Sequence, residues 1–223
     1  SKARNFCYIN HLSFDKPAGL VQYHYRNHIA LDNIGTRLLN PIRKSGIFIN
    51  HAQIQFSHKK MTGTKTLLGV IRMGFFSRKS VALLDYSNFG YEQGRLEDLY
   101  RTTVLARSLN HPNILKHYGI AMSESPVYIL TENCTQGTLG YIVRKPNGPD
   151  VGKREIFCNQ IAKGLQYLHN RFIIHRSIAA DHCFVDGQGT VKIGEFGNAI
   201  FGAKVKDKIN FLAPRYSAPE IRR

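Results

Sequence analysis

The chain has 223 residues, of which 43% are hydrophobic, and its formal charge is +16 at pH 7. No apolar run approaches the roughly 18 residues needed to cross a bilayer, and the N-terminus leads into no signal-peptide-like apolar block. The four cysteines, at 7, 134, 158 and 183, form no C-x-x-C pair. This spacing argues against a zinc site and is typical of reduced, cytosolic thiols.

The first 46 residues predict a small mixed segment. A strand is expected at 6–9 and a helix at about 18–26, where Pro17 suits the first helical turn. A second strand is expected near 37–39. The stretch 40–46 contains Pro41 and Gly46 and is predicted to be a polar link.

Strand patterns dominate the next part of the chain and then give way to helices. Strands are predicted at 54–56, 67–73, 80–84 and 127–130. Helical spacing predicts one helix at 95–108, from Leu96, Leu99, Thr103 and Ala106. It predicts another at 153–169, with Ile156, Ile161, Leu165 and Leu168 on one side.

Four strings in the second half of the chain occur in the order and at the intervals of protein-kinase motifs. H-R-S-I-A-A-D-H-C at 175–183 resembles the catalytic loop, H-R-D-x-x-x-x-N. V-K-I-G-E-F-G at 191–197 resembles the strand that leads into D-F-G, and S-A-P-E at 217–220 resembles A-P-E. L-N-H-P-N-I at 109–114 resembles the turn after the regulatory helix.

A narrower resemblance is to Fes- and Fer-type cytoplasmic tyrosine kinases. It is carried by L-V-Q-Y-H at 20–24, Gly35, Leu38-Leu39 and Pro41, which are similar to the last third of a Src-homology-2 domain, by the short junction I-N-H at 49–51, and by S-P-V-Y-I at 125–129. The implied fold is α+β: a partial Src-homology-2 segment precedes a bilobal, protein-kinase-like fold with a β-rich N-lobe and a truncated helical C-lobe. The implied bounds are 1–42 for that segment, 43–53 for a linker and 54–223 for the kinase-like domain, with the N-lobe at about 54–133 and a partial C-lobe at 134–223.

Most positions that this resemblance assigns to phosphoryl transfer carry other residues. The strand lysine of V-A-I-K corresponds to Leu84, and its glutamate partner on the regulatory helix corresponds to Thr102. The loop aspartate corresponds to Ser177, whose hydroxyl cannot accept a proton at neutral pH as a carboxylate does. The loop asparagine corresponds to His182, although Mg²⁺ prefers oxygen ligands. The D-F-G aspartate corresponds to Glu195, which keeps a carboxylate and is the candidate metal ligand.

The nucleotide-binding positions are also altered. The loop that covers phosphates corresponds to 61–66 and keeps one glycine, Gly63. Thr131 matches the gatekeeper, and Glu132 and Cys134 belong to the hinge, whose backbone could bind adenine. The resemblance therefore implies no cofactor, or ATP with Mg²⁺ at weak affinity. Lys65 is a candidate substitute for the strand lysine, and Asp181 is interpreted as a surface residue beside the loop.

These positions predict a cytoplasmic signalling pseudokinase that acts as a scaffold or allosteric partner in phosphotyrosine signalling. Its expected partners are signalling proteins, including phosphotyrosine-containing ones if the upstream half of the Src-homology-2 domain is present. One alternative is a weakly active tyrosine kinase that uses substitute residues. Another is a basic adaptor for anionic lipid or nucleic acid, since residues 1–80 carry thirteen Lys or Arg and two acids. An anionic membrane surface fits this charge better than nucleic acid does, because no aromatic-interleaved basic motif occurs.

A chain that stops at Arg223, just after A-P-E, is interpreted as a fragment, a truncated gene product or a partial structure.

Overall fold

The computed structural model describes residues 7–9, 12–14, 17–31, 37, 46–64, 66–73, 77–86, 93–202 and 216. The chain divides into two compact units, 1–45 and 46–223. In the first unit, β1 (Cys7–Ile9) pairs antiparallel with β2 (Leu12–Phe14), and α1 (Pro17–Asn27) follows. The predicted strand and helix are thus present, whereas the predicted strand at 37–39 lies outside the described residues except for Arg37.

A five-stranded antiparallel sheet forms one half of the second unit. Its order is β3-β4-β5-β7-β6, with a helix, α2 (Gln93–Ser108), between β5 and β6 in the chain. The strands are β3 (Ile54–Lys60), β4 (Leu67–Met73), β5 (Ser77–Asp85), β6 (His117–Ala121) and β7 (Tyr128–Glu132). All four predicted strands are confirmed. Strand β6 was not predicted, because His117 and Gly119 interrupt its short apolar run.

The other half of the second unit is built on helices and short strand pairs. The helices are α3 (Leu139–Val143) and α4 (Val151–His169). The strands are β8 (Gly137–Thr138), β9 (Ile173–Ile174), β10 (Cys183–Val185), β11 (Val191–Ile193) and β12 (Ile200–Phe201). Strand β10 pairs with β11 and β8, and β12 pairs with β9. The loops between these strands present the catalytic-type motifs.

The helix predictions hold for position but only partly for the buried face. Helix α4 begins after Asp150, whose carboxylate accepts the Lys153 N–H at 2.7 Å and so caps the helix. Ile156 was predicted to face the core but is 57% exposed, while its neighbour Phe157 is buried. Ile161, Leu165 and Leu168 pack on the core as predicted, so the prediction fails only at Ile156, where Phe157 is buried instead. In α2, Thr103 and Ala106 are fully buried as predicted.

Residues 46–49, which the sequence assigns to a linker, pack on strand β6. The Ile49 N–H donates to the Ile120 carbonyl at 2.9 Å, and the Ile120 N–H donates to the Ile47 carbonyl at 2.8 Å. Ile47 is 2% exposed, and the ring of Phe48 stacks on Tyr100 of α2 with centroids 5.4 Å apart. This segment therefore holds α2 against the sheet.

Gly119 gives a test of that packing, because a Cβ at this position would lie 2.2 Å from the Ile47 carbonyl oxygen. We expect Gly119→Ala to lower the free energy of unfolding by about 1–3 kcal/mol, since the segment must move away from β6. Urea unfolding followed by circular dichroism measures the change. Gly197→Ala is the matched control, because a Cβ there would meet nothing within 4 Å. Equal effects of the two substitutions would contradict the packing argument.

Among the described residues, no helix combines the length and the apolar character that spanning a membrane requires.

Candidate functional site

The loop at 175–183 is anchored by a buried histidine and a partly buried arginine. The Nε2 of His175 donates to the Gly194 carbonyl at 2.7 Å, and its Nδ1 accepts the Ser177 N–H at 3.2 Å. Arg176 has a positive φ of 59°, and its Nε donates to the Asn198 carbonyl at 2.6 Å. These bonds tie the loop to the G-E-F-G segment that follows β11.

Three aromatic rings, those of His117, His175 and Phe196, form an edge-to-face cluster beside this loop. The ring of Phe196 makes edge contacts with His175, at a centroid distance of 5.1 Å, and with His117 of β6, at 5.8 Å. Phe196 and His175 are each 2% exposed and His117 is 7% exposed. Burial lowers the pKa of both imidazoles to about 4. His175 and Phe196 lie in strings that resemble kinase motifs, whereas no sequence motif indicates a role for His117.

The two buried histidines of this ring cluster predict a dependence of stability on pH. The unfolded imidazoles bind protons below about pH 6.5, whereas the folded ones resist protonation until about pH 4. The free energy of unfolding is therefore highest above about pH 6.5. It decreases as the pH falls toward 4, by about 3 kcal/mol for each histidine. Urea unfolding from pH 7.5 to 4.5 measures this loss.

His117→Leu isolates one of the two histidines. We expect it to lower stability at pH 7 by about 1–3 kcal/mol, because the Leu115 carbonyl loses the hydrogen bond that Nδ1 of His117 donates at 3.1 Å, and to lose less stability as the pH falls. The difference between the two proteins cancels contributions from other groups, such as Glu195. Identical pH profiles for the two proteins would contradict burial of a neutral His117.

Ser177 and His182 lie against each other at the positions of the loop aspartate and asparagine. The Nδ1 of His182 donates to the Ser177 carbonyl at 2.7 Å, and the Ser177 Oγ lies 3.2 Å from the same nitrogen. Because that nitrogen carries the proton, it cannot accept one from the Ser177 hydroxyl. The pair is therefore a structural contact across the loop, and Nδ1 of His182 is not placed to activate the Ser177 hydroxyl.

Glu195, at the D-F-G aspartate position, is a carboxylate close enough to His182 to interact with it electrostatically. It is partly buried and has φ 59° and ψ 60° at the start of the short turn 196–198. Burial raises the pKa of its carboxyl group, and His182 nearby opposes that rise. The same carboxylate raises the pKa of the buried Tyr86 hydroxyl, after the larger effect of burial. Desolvation thus disfavours the charged form of Glu195, which is the form that a metal ion requires.

Asp181 lies at the edge of the loop and is held by an arginine from α3. Its two carboxylate oxygens accept from the two terminal nitrogens of Arg144, at 2.5 and 3.1 Å. The hydrogen bonds from Arg144 lower the pKa of Asp181. A carboxylate with a lowered pKa is a weaker proton acceptor, so this geometry agrees with a surface role for Asp181.

The strand and helix positions that hold an ion pair in kinases carry Leu84 and Thr102 here. Leu84 of β5 packs against the same buried cluster of Ile47, Ile120, Val127 and Ile129 that Leu99 and Tyr100 of α2 cover. Thr102 is half-buried on the same helix. Glu97 points to solvent and lies 3.9 Å from Arg101, one helical turn away. Glu97 therefore does not take the place of the missing helix glutamate.

The space between the sheet and the β10 strand is filled by side chains of the chain itself. Phe184 of β10 forms one buried cluster with Met61, Ala82 of β5 and Cys134 of the hinge. Each is at most 6% exposed, and burial raises the pKa of the Cys134 thiol to about 12. A flat ring inserted between β5 and β10 would have to separate these side chains.

The hinge positions are engaged within the protein. Thr131 is buried, and the Cys134 carbonyl accepts the Gly137 N–H at 2.9 Å. Glu132 faces Lys192, whose Nζ lies 3.2 Å from its Oε2. Among the predicted nucleotide-pocket residues, the Cys134 carbonyl and the Glu132 carboxylate are thus engaged by other residues of the protein.

An open groove of about 540 Å³ lies outside this cluster. Its lining includes Thr62, Ile142, Lys145, Asp150 and Lys153. It contains none of the residues that the sequence assigned to catalysis.

Comparison with known proteins decides the family. The sequence pattern of the family described as protein tyrosine and serine/threonine kinase matches residues 69–223, more than half of the chain. The chain is a member of the protein kinase family. The sheet-rich lobe, α2 and the loops around Phe196 are those of a kinase domain.

The relatives of this kinase domain include tyrosine kinases and other kinases. Spermatocyte protein spe-8 of Caenorhabditis elegans is 24% identical over 225 residues, which are 99% of this chain and 44% of that protein. Mitogen-activated protein kinase kinase kinase 1a of Physcomitrium patens is 35% identical over 69% of this chain and 20% of its own length. Human cytoplasmic tyrosine-protein kinase BMX is 25% identical over 98% of this chain and 33% of its own length. The chain thus spans less than half the length of each of these relatives.

Magnesium and nucleotide are the groups that a kinase fold implies, and the residues of this kinase domain do not fit them. Kinases hold Mg²⁺ with the D-F-G aspartate and the loop asparagine. Here the carboxyl of Glu195 has a raised pKa, and the Nδ1 of His182 is committed to Ser177. The strand lysine is replaced by Leu84, and Phe184 packs against Met61, Ala82 and Cys134 between the sheet and β10. Lys65, the candidate substitute, lies outside the described residues.

Proposed function

We propose that this protein is a signalling pseudokinase of the non-receptor tyrosine kinase type, which acts through binding and not through phosphoryl transfer. The observation that carries the proposal is the catalytic-type loop. There Ser177, in hydrogen-bond contact with the imidazole of His182, occupies the position at which kinases have the base aspartate. A positioned proton acceptor contributes about 10²–10⁴ to the rate. The fold-forming side chains His175 and Phe196, in contrast, are kept and buried.

The first test is phosphoryl transfer by the unmodified protein. We expect no incorporation of radiolabelled phosphate from MgATP into a Glu/Tyr copolymer above the level without protein. Glu195→Ala is the matched control, because it removes the carboxylate at the D-F-G position, which is the candidate metal ligand. Transfer that is clear in the unmodified protein and lost in Glu195→Ala would overturn the proposal.

We further propose that residues 1–42 are the C-terminal part of a Src-homology-2 domain. An antiparallel strand pair followed by α1 occurs within this unit. The similarity to spe-8 and to BMX covers 99% and 98% of the chain, so it extends into this unit. The expected role is cytoplasmic and scaffolding, with phosphotyrosine-containing partners. Full-length protein that binds phosphorylated and unphosphorylated tyrosine peptides equally would contradict this assignment.

A further inference from the structure

The turn between β3 and β4 uses its own amide groups. The Met61 N–H donates to the Thr66 carbonyl at 2.9 Å, and the Thr64 N–H donates to the Met61 carbonyl at 3.1 Å. The Thr66 N–H donates to the Thr64 hydroxyl oxygen at 3.1 Å. A loop that binds phosphate needs N–H groups that point at the anion. These three amides are bonded within the turn instead.

The same turn lies on α3 of the other lobe. The Thr62 hydroxyl donates to the Thr135 carbonyl at 3.2 Å. A Cβ at Gly137 would lie 2.1 Å from the Thr62 carbonyl oxygen, and a Cβ at Gly63 would lie 2.4 Å from Cγ of Tyr141. Both glycines have positive φ, +87° and +70°. The backbone of the turn therefore sits directly on the Tyr141 ring and on the start of β8, which only glycine at these two positions allows.

The ring of Tyr141 is itself held in place. The hydroxyl of Thr138 caps α3 by accepting the Tyr141 N–H at 3.2 Å. The Nζ of Lys145 lies 4.6 Å from the centre of the Tyr141 ring, a cation–π distance. The Tyr141 ring, on which the turn lies, is thus positioned by residues of its own lobe.

A second contact joins the lobes behind the hinge. Lys192 of β11 is 12% exposed, and its Nζ lies 3.2 Å from Glu132 and 3.8 Å from Asp186. It also donates to the Pro112 carbonyl at 3.2 Å. Glu132 in turn accepts the Lys116 N–H at 2.7 Å. The two lobes are therefore joined on both sides of the hinge.

We propose that Thr62, Gly63, Thr135, Gly137 and Tyr141 form a front latch, a built-in contact that keeps the cleft closed by the chain's own residues. The latch rests on the proposed function in one respect: a scaffold presents one fixed arrangement of its lobes, whereas a turning-over kinase opens to exchange nucleotide. In this protein the latch replaces nucleotide as the element that bridges the lobes at the front.

Hydrogen–deuterium exchange of the peptide covering 61–66, read by mass spectrometry on the full chain, tests the latch. We expect at least tenfold faster exchange in Tyr141→Ala than in the unmodified protein. Tyr141→Phe is the matched control and should exchange as the unmodified protein does, because the contact is with the ring and not with the hydroxyl. Unchanged exchange in Tyr141→Ala, or equally fast exchange in Tyr141→Phe, would overturn the latch.

A second variant keeps the test decisive if Tyr141→Ala does not fold. Thr62→Val keeps the shape of the side chain and removes the hydrogen bond to Thr135, so we expect about fivefold faster exchange at 61–66. Exchange identical to that of the unmodified protein would count against the latch. These outcomes are separate from the phosphoryl-transfer assay: an inactive protein with a freely exchanging turn would retain the proposed function and lose the latch.

Discussion

Phe196→Ala is expected to lower the free energy of unfolding by about 3–5 kcal/mol, the range for removing a fully buried aromatic ring. The ring is 2% exposed and lies between the imidazoles of His117 and His175. Its loss would leave a cavity where the sheet lobe and the catalytic-type loop meet. Urea unfolding at pH 7.5, followed by circular dichroism, measures the change.

Phe172→Ala is the matched control for that experiment. Phe172 is 68% exposed, so its removal deletes the same ring from the surface and should change stability by at most about 0.5 kcal/mol. If Phe196→Ala were no more destabilising than Phe172→Ala, the Phe196 ring would not be part of the core.

Restoring the loop carboxylate alone is expected to leave the protein without measurable kinase activity. Ser177→Asp supplies the missing proton acceptor, but Leu84 and His182 still occupy the lysine and asparagine positions. Each electrostatic stabiliser contributes about 10²–10³ to the rate, and such losses are not additive. We therefore expect Ser177→Asp to stay at least about 10⁴-fold below the roughly 1–100 s⁻¹ of ordinary kinases.

Ser177→Asn is the control, because it matches aspartate in shape and carries no charge. Phosphate incorporation into a Glu/Tyr copolymer should be the same for the two variants. A Ser177→Asp protein that transfers phosphate at an ordinary rate, while Ser177→Asn does not, would show that the rest of the machinery is intact.

The family and much of the fold could be predicted because they are encoded in local signals. H-R-S-I-A-A-D-H-C and V-K-I-G-E-F-G follow each other at the interval of kinase motifs, and in the structure the rings of His175 and Phe196 lie 5.1 Å apart. The helix at 153–169 follows from its apolar spacing, and its start after Asp150 is an ordinary cap. The burial of Phe157 in place of Ile156 could not be predicted, since both are apolar and only packing decides which is buried.

Contacts between distant parts of the chain could not be predicted in the same way. Nothing local to Asp181 indicates that Arg144 will bind it, 37 residues away. Phe184 follows the loop motif as one more apolar residue, and only the structure shows that it packs against Ala82. Gly63 was interpreted as the remnant of a phosphate loop. The sequence alone does not show that the Tyr141 ring lies against this glycine. A bulky residue following the loop motif, together with a missing strand lysine, is a signal that would have indicated a filled cleft.

We propose that this kinase fold does not bind magnesium and nucleotide, and thermal unfolding of the full-length protein with and without MgATP tests this most directly. Ligand at 100 times its dissociation constant adds about 2.7 kcal/mol of stability, which raises the melting temperature of a domain of this size by several degrees. We expect the melting temperature to be the same in the absence of ligand and in millimolar MgATP. A saturable rise that requires Mg²⁺ and disappears in Glu195→Ala would contradict the claim.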